Sequence, residues 1–188
     1  MVELLRNLRL RLISEKDISE YLESYMENLN SEAGYFLRLE GKSHKGFNDW
    51  SRDLMYQDTD YSLALRGEKV PIVVEGCPSY GGRVALIGFN AICDDLRIEQ
   101  IQANNRASEH IPKRFERMMV DFLKKFGKAE GFERLRIQRA EDNKNYNRSP
   151  GIRNELEFKT SMKIRYNVTA KRSGFKFDES LGDFVFNL

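Results

Sequence analysis

Phe115, Met118, Met119, Phe122, Leu123 and Phe126 recur at i, i+3, i+4, i+7, i+8 and i+11, which is one face of an α-helix. Large apolar side chains gain roughly 1.5–3 kcal/mol each on burial, so this stripe belongs to the core whatever the protein does. Pro112 suits the first helical turn, where its missing N–H costs nothing. Ser108 suits the N-cap, and Gly127 or Gly131 the end. A strand pattern, DDLRIEQIQ, precedes the helix, and a second, RLRIQ, follows it with Leu135 and Ile137 on one face.

The rest of the chain supplies more strands and two more helices. Leu8, Leu10 and Leu12 alternate as in a strand, and Ser14 and Asp17 have capping-box spacing. Ile18, Tyr21, Leu22, Tyr25, Met26 and Leu29 then follow at helical spacing. Residues 30–60 form an acidic stretch in which Phe47, Trp50 and Leu54 could share a helix face. Tyr61, Leu63 and Leu65 begin a run of strands, with RGEK and CPSYGG as turns around VPIVVEG, and RVALIGFNAI as a long apolar strand. AEDNKNYNRSPGIRN is a polar loop. A helix is expected from Asn154 to Ser173, with Gly174 past its end, and FKF and FVFNL close the chain as strands. Strands in tight succession mixed with helices give an α+β, or mixed α/β, class. The 188 residues suggest a single domain over 1–188.

The N-terminus interleaves arginine with leucine and has no signal-peptide core, and no run of 18 apolar residues spans a membrane. Cys77 and Cys93 are too few for a disulfide framework or a zinc site. A cytoplasmic protein without a metal is therefore the expectation. Net charge is only +2, but residues 11–60 carry 6 basic and 11 acidic side chains, whereas residues 101–175 carry 18 basic and 9 acidic. That asymmetry suits either an anionic partner for the second half or a mixed, solvated surface.

Three segments resemble the GNAT superfamily of N-acetyltransferases. LRLRLISEKDISEYLESY is similar to its opening strand and helix, RVALIGFNAICDDLRIEQIQ to its central hairpin, and FLKKFGKAEGFERLRIQRAEDN to the helix, turn and strand that end in an asparagine. NVTAKRSGF resembles the closing N-x-x-A helix followed by Gly-Phe. The resemblance implies a twisted, mixed, mostly antiparallel sheet flanked by helices and parted at its centre. It also implies acetyl-CoA bound in the parting as co-substrate, and acyl transfer to a primary amine. The cofactor-binding positions it implies are Ile101, Gln102, Arg106, Ala107, Ser108, Lys113, Arg114 and Asn143. Backbone N–H groups at the start of the helix would hold the pyrophosphate, since they are unpaired and the helix dipole favours anions. The stretch RASEHIPKR has no glycine, and Arg106, Lys113 and Arg114 stand there as charge-assisted donors.

Transfer to an amine needs a proton acceptor. Alternation puts Arg97, Glu99 and Ile101 on one face of their strand, and makes Glu99 the candidate base if that face meets the cleft. The plainer reading of Glu99 is an ion pair with Arg97 or a cross-strand base. The family carries a tyrosine shortly before its Gly-Phe as acid to the leaving thiolate. Ala170, Lys171 and Arg172 stand in that neighbourhood, so the candidate acid is Tyr166, one turn earlier. His110 and His44 have no partner motif. The acidic residues 30–60 suit a cationic acceptor such as a polyamine, an aminoglycoside or a lysine side chain. The alternatives are a non-catalytic fold of this kind, or a basic interaction module that binds protein or nucleic acid.

Overall fold

The computed structural model describes residues 35–41, 59, 61–74, 77–103, 111–143, 146 and 154–188. The strand and helix expected over residues 8–29, the Phe47–Trp50–Leu54 face, and Arg106, Ala107, Ser108 and His110 lie outside them. The chain divides into two compact units, Met1–Phe89 with Gln102–Phe115, and Asn90–Ile101 with Glu116–Leu188. The described elements make a mixed α/β protein in which antiparallel strand pairing predominates.

In the first unit, β1 (Tyr35–Gly41) pairs antiparallel with β2 (Tyr61–Val74), and β2 pairs antiparallel with β3 (Cys77–Ile92). Every residue of β2 from Tyr61 to Leu65 is buried, so both faces of the strand are covered there. Tyr61 stacks on its cross-strand partner Phe89, ring centroids 5.8 Å apart.

Residues 35–41 form a strand that the sequence reading did not single out, with Tyr35 and Leu37 both buried. Two expectations are corrected in this unit. RGEK is not a turn: β2 runs through it and absorbs the irregularity as register shifts at Leu65/Arg66 and Gly67/Pro71. Pro71, which has no N–H for a ladder, stands at the second shift, where strands tolerate proline. CPSYGG is also strand, because Cys77 to Tyr80 pair with Val74 to Pro71.

The second unit begins with the end of β3 and the two-residue turn Cys93–Asp94, in which Cys93 takes a left-handed φ of 52°. β4 (Asp95–Ala103) follows, then α1 (Phe115–Ala129) and β5 (Arg134–Gln138), which pairs parallel with β4. A parallel neighbour needs a long crossover, and α1 supplies it. After β5 come a 3-10 turn (Ala140–Asp142) and α2 (Glu155–Lys163). A π-helical segment (Ile164–Val168) leads on to a closing α-turn (Thr169–Arg172). β6 (Lys176–Asp178) and β7 (Asp183–Asn187) end the chain, and β7 pairs antiparallel with both β5 and β6.

α1 buries Phe115, Met119, Phe122, Leu123 and Phe126 as its spacing predicts, with Val120 added and Met118 only half-buried. It starts three residues later than Pro112 suggests. Arg114 has a φ of 63°, which no helical residue adopts, so Pro112 and Lys113 belong to the preceding turn. Gly127 lies inside the helix, and Gly131 ends it at a φ of 76°, with the Phe132 N–H donating back to the Gly127 carbonyl at 2.9 Å. Gly127 is closely approached: a Cβ there would stand 2.7 Å from the Leu188 side chain and 3.1 Å from that of Leu96, so those side chains would have to shift. α2 begins as expected, with Asn154 Oδ1 accepting the Glu157 N–H at 3.2 Å.

Lys124 ties α1 to the end of the chain. Its ammonium donates to the Ser173 carbonyl and to Asp121 Oδ1 at 3.1 Å, and lies 4.1 Å over the Phe186 ring and 5.2 Å from that of Phe175. Lys124→Met keeps the stem and removes the charge. It should lower unfolding stability by about 2 kcal/mol, read as a lower urea midpoint at unchanged m-value.

Candidate functional site at the parting of β4 and β5

β4 and β5 pair over only four positions, Asp95↔Arg134 to Ile98↔Ile137. β5 then stops at Gln138, and the backbone turns through Arg139 into the 3-10 helix. In β4, Leu96 and Ile98 are buried, Glu99 and Gln100 are half-buried, and Ile101 is buried again. Simple alternation therefore does not describe β4 beyond Ile98. The change falls where the neighbouring strand leaves.

A parallel neighbour uses one residue to bond the C=O of residue i and the N–H of residue i+2. At Glu99 and Ile101 that residue does not arrive. The Tyr166 hydroxyl takes its place, accepting the Ile101 N–H at 3.0 Å and donating to the Glu99 carbonyl at 3.3 Å. Asn143 Nδ2 donates to the same carbonyl at 3.1 Å and to the Tyr166 oxygen at 3.3 Å. Gln138 Nε2 also donates to the Glu99 carbonyl. A hydroxyl can do this because it both donates and accepts.

The π segment aims Tyr166. Its wide turn directs Tyr166 to β4 and the next residue, Asn167, to the 3-10 turn. There Asn167 Oδ1 accepts the Ala140 N–H and Nδ2 donates to Glu141 Oε2, both at 2.9 Å. Burial works to raise the Glu141 carboxyl, but hydrogen bonds from Asn167, the backbone and Lys163 outweigh it and hold it below the usual range. π turns recur at functional positions.

Tyr166 is 2% exposed, and burial pushes its phenol up to about 12, the Ile101 N–H pulling partly back. Transfer of its proton to a thiolate of ordinary pKa, about 8.5, would be uphill by about 5 kcal/mol. The phenol therefore stays protonated at neutral pH and stands at this position as a hydrogen-bond donor.

On the same strands runs a ladder of charge. Asp183 of β7, almost wholly buried, accepts from Arg97 Nε at 2.8 Å and Nη2 at 3.1 Å, and from Arg136 Nε at 3.0 Å. Arg136 Nη1 reaches Asp95 Oδ2 at 3.3 Å, and Arg134 Nε reaches Asp95 Oδ1 at 2.7 Å. Arg97 Nη1 holds Glu99 Oε1 at 3.2 Å. The hydrogen bond to Asp183 chiefly, against the opposing effect of burial, raises the Arg97 guanidinium further above its usual value. Of the two readings weighed for Glu99, the ion pair with Arg97 is present, and the backbone carbonyl of Glu99 gathers more partners than its carboxylate.

A cleft of about 530 Å³ lies between the start of α1 and α2, lined by Glu116, Leu156, Glu157, Thr160, Ser161, Ile164 and Arg165. Burial pushes the Glu116 carboxyl up, while its own backbone N–H and Arg165 oppose this.

Four sequence candidates, Glu99, Ile101, Asn143 and Tyr166, thus meet in one cluster. Gln102 is half-buried next along β4, and Lys113 and Arg114 are exposed in the turn before α1. Gln138, Asn167, Arg97, Arg136 and Asp183 were not singled out as site residues. Gln138 could have been, as an amide at the end of an alternating strand. Among the described residues no group of three or more His, Cys, Asp or Glu is arranged to hold a metal ion, and no helix is long and apolar enough to cross a membrane. No protein-family model matches the chain, and no curated protein matches it.

Two outcomes test this geometry. Tyr166→Phe orphans the buried Ile101 N–H and should cost roughly 1–3 kcal/mol at pH 7. The raised phenol pKa means that the native state holds this proton more tightly than the unfolded chain, whose tyrosines titrate near 10. Its stabilisation is complete below pH 10 and is lost as pH rises toward about 12. Urea unfolding should show a weaker decline between pH 9 and 11 in the Phe variant than in the wild type; equal declines would remove Tyr166 as the cause. Asp183→Ala strips two guanidinium groups of their buried acceptor and should cost about 2–4 kcal/mol, discounted for the part-exposed Arg97. A smaller loss of urea stability would mean that water replaces the carboxylate freely.

Proposed function

We propose that the protein is an acyl-coenzyme A-dependent N-acyltransferase acting on a primary amine. One observation carries the reading. β4 is left by its parallel neighbour after Ile98, and beyond that point Glu99 C=O and Ile101 N–H are satisfied by side chains instead of a strand. A carbonyl and an N–H two residues apart form a donor–acceptor pair for an extended, amide-bearing arm, and a single hydroxyl now fills it. The GNAT resemblance implies a sheet parted at its centre, with the coenzyme in the parting.

Bound in the parting, the coenzyme thioester supplies an activated acyl carbonyl and a thiolate leaving group. The chain's part is to orient and to manage protons. The Tyr166 hydroxyl donates a hydrogen bond toward the reacting end, and its high pKa keeps it protonated. The Glu99 carboxylate, steered by Arg97, is the group to receive the amine's proton through water. Lys113, Arg114 and the N–H groups before α1, with Arg106, Ala107 and Ser108, are the proposed pyrophosphate ligands.

The rival reading, a basic module that binds nucleic acid, rests on the charge excess of residues 101–175. Arg134 and Arg136 of that stretch are matched by carboxylates outside it, Asp95 and Asp183, which removes part of the excess.

Thermal unfolding with coenzyme A beside a short oligonucleotide separates the two. A ligand at 100 times its Kd adds about 2.7 kcal/mol of stability. Acetyl-CoA or coenzyme A should raise the midpoint, and the oligonucleotide should not. No shift at millimolar coenzyme A would sink the proposal, and an oligonucleotide shift that disappears with salt would favour the rival.

A further inference from the structure

The hydrogen-bond inventory around Tyr166 is nearly closed. Its oxygen has two lone pairs, and two donors point at it, Ile101 N–H at 3.0 Å and Asn143 Nδ2 at 3.3 Å. Its single hydrogen has only the Glu99 carbonyl, at 3.3 Å, beyond the 2.5–3.0 Å usual for O–H···O. That carbonyl also has two lone pairs and already receives Gln138 Nε2 and, at 3.1 Å, Asn143 Nδ2. The Tyr166 hydrogen is thus a third donor on an acceptor made for two. It can leave without orphaning the Glu99 carbonyl.

We infer that Asn143 is a positioning residue: by spending one amide hydrogen on the Tyr166 oxygen and the other on the Glu99 carbonyl, it fixes where the Tyr166 hydrogen points and keeps it loosely held. This rests on the acyltransferase reading for its use, in which the hydrogen passes to an acceptor atom of a ligand in the parting. The geometry itself does not need that reading. Gln138 assists by filling the other lone pair of the Glu99 carbonyl. Asn143 is buried, so bulk water does not readily take over either of its bonds.

The test labels tyrosine Cζ with carbon-13 and reads the Tyr166 resonance, assigned by its loss in Tyr166→Phe, among the 8 tyrosines of the chain. In Asn143→Ala the phenol oxygen loses a donor and its hydrogen is drawn tighter to Glu99, so the resonance should move toward the phenolate position. Gln138→Ala vacates one place on the carbonyl only, and should produce a smaller move in the same direction. It also carries the test if the Asn143 variant does not fold. A Tyr166 resonance unmoved in a folded variant, or equal movement of all the tyrosines, would overturn the inference. Neither measurement uses a coenzyme, so failure to bind acetyl-CoA counts against the acyltransferase reading alone. Where acetyl-CoA is turned over, Asn143→Ala should lower kcat roughly tenfold at unchanged KM. A change confined to KM would make Asn143 a ligand contact instead.

Discussion

Where β5 turns away from β4, two backbone groups, Glu99 C=O and Ile101 N–H, lose the partner that a parallel ladder would have given them. Buried backbone groups must be paired, and the Ile101 N–H is buried. The second unit is arranged around the solution. A phenol is long enough to reach the strand from a helix, and its hydroxyl can replace an N–H and a C=O together. The helix must then present Tyr166 at the correct depth. The π turn does so, and Asn167 locks that turn to the 3-10 helix that replaced the departing strand. Strand departure, 3-10 turn, π turn and phenol are therefore one device.

The charge ladder answers a different demand of the same strands. Leu96, Ile98, Leu135 and Ile137 are fully buried, while the residues alternating with them are acids and arginines. Asp95 and Asp183 are deeply buried, and each is met by two arginines, with Arg136 common to both. Buried ion pairs of this kind contribute little net stability, because desolvation offsets attraction, yet they penalise any misregister heavily. A one-residue slip of β5 against β4 would part Asp95 from Arg134 and leave buried charge unmatched. Glu99, at the open end of the ladder, takes its orientation from Arg97.

Regular elements with a clean period were legible in the sequence. The α1 stripe, the alternation of Tyr61, Leu63 and Leu65, and the pair Leu135 and Ile137 could each be read from spacing, because one physical effect governs each. The misreadings came where two effects compete. Arg66 to Lys69 have turn chemistry, but Arg66 and Gly67 pair with both β1 and β3 and pairing with β3 resumes at Pro71, so the strand continues. Pro112 suits a helix start, but the left-handed Arg114 delays the helix to Phe115. At the candidate site, Glu99 was singled out for its carboxylate, whereas most of its polar contacts run through its main chain, which no residue type announces. Gln138 and Asn167 escaped notice because an amide gains its role from the backbone left unpaired near it, and that depends on where a strand ends.

The π turn also bears on the spacing of the chain. A helix with a π turn holds one residue more than α-geometry would place in the same length. The extra residue is also an unforgiving length constraint. Loss of one residue between Ile164 and Val168 would let the helix relax to α-geometry with its flanks nearly in place, but it would take Tyr166 or Asn167 off its partners on β4 and the 3-10 turn. Insertions and deletions in this helix should therefore be rarer than substitutions, although no single side chain in it is irreplaceable for helix formation.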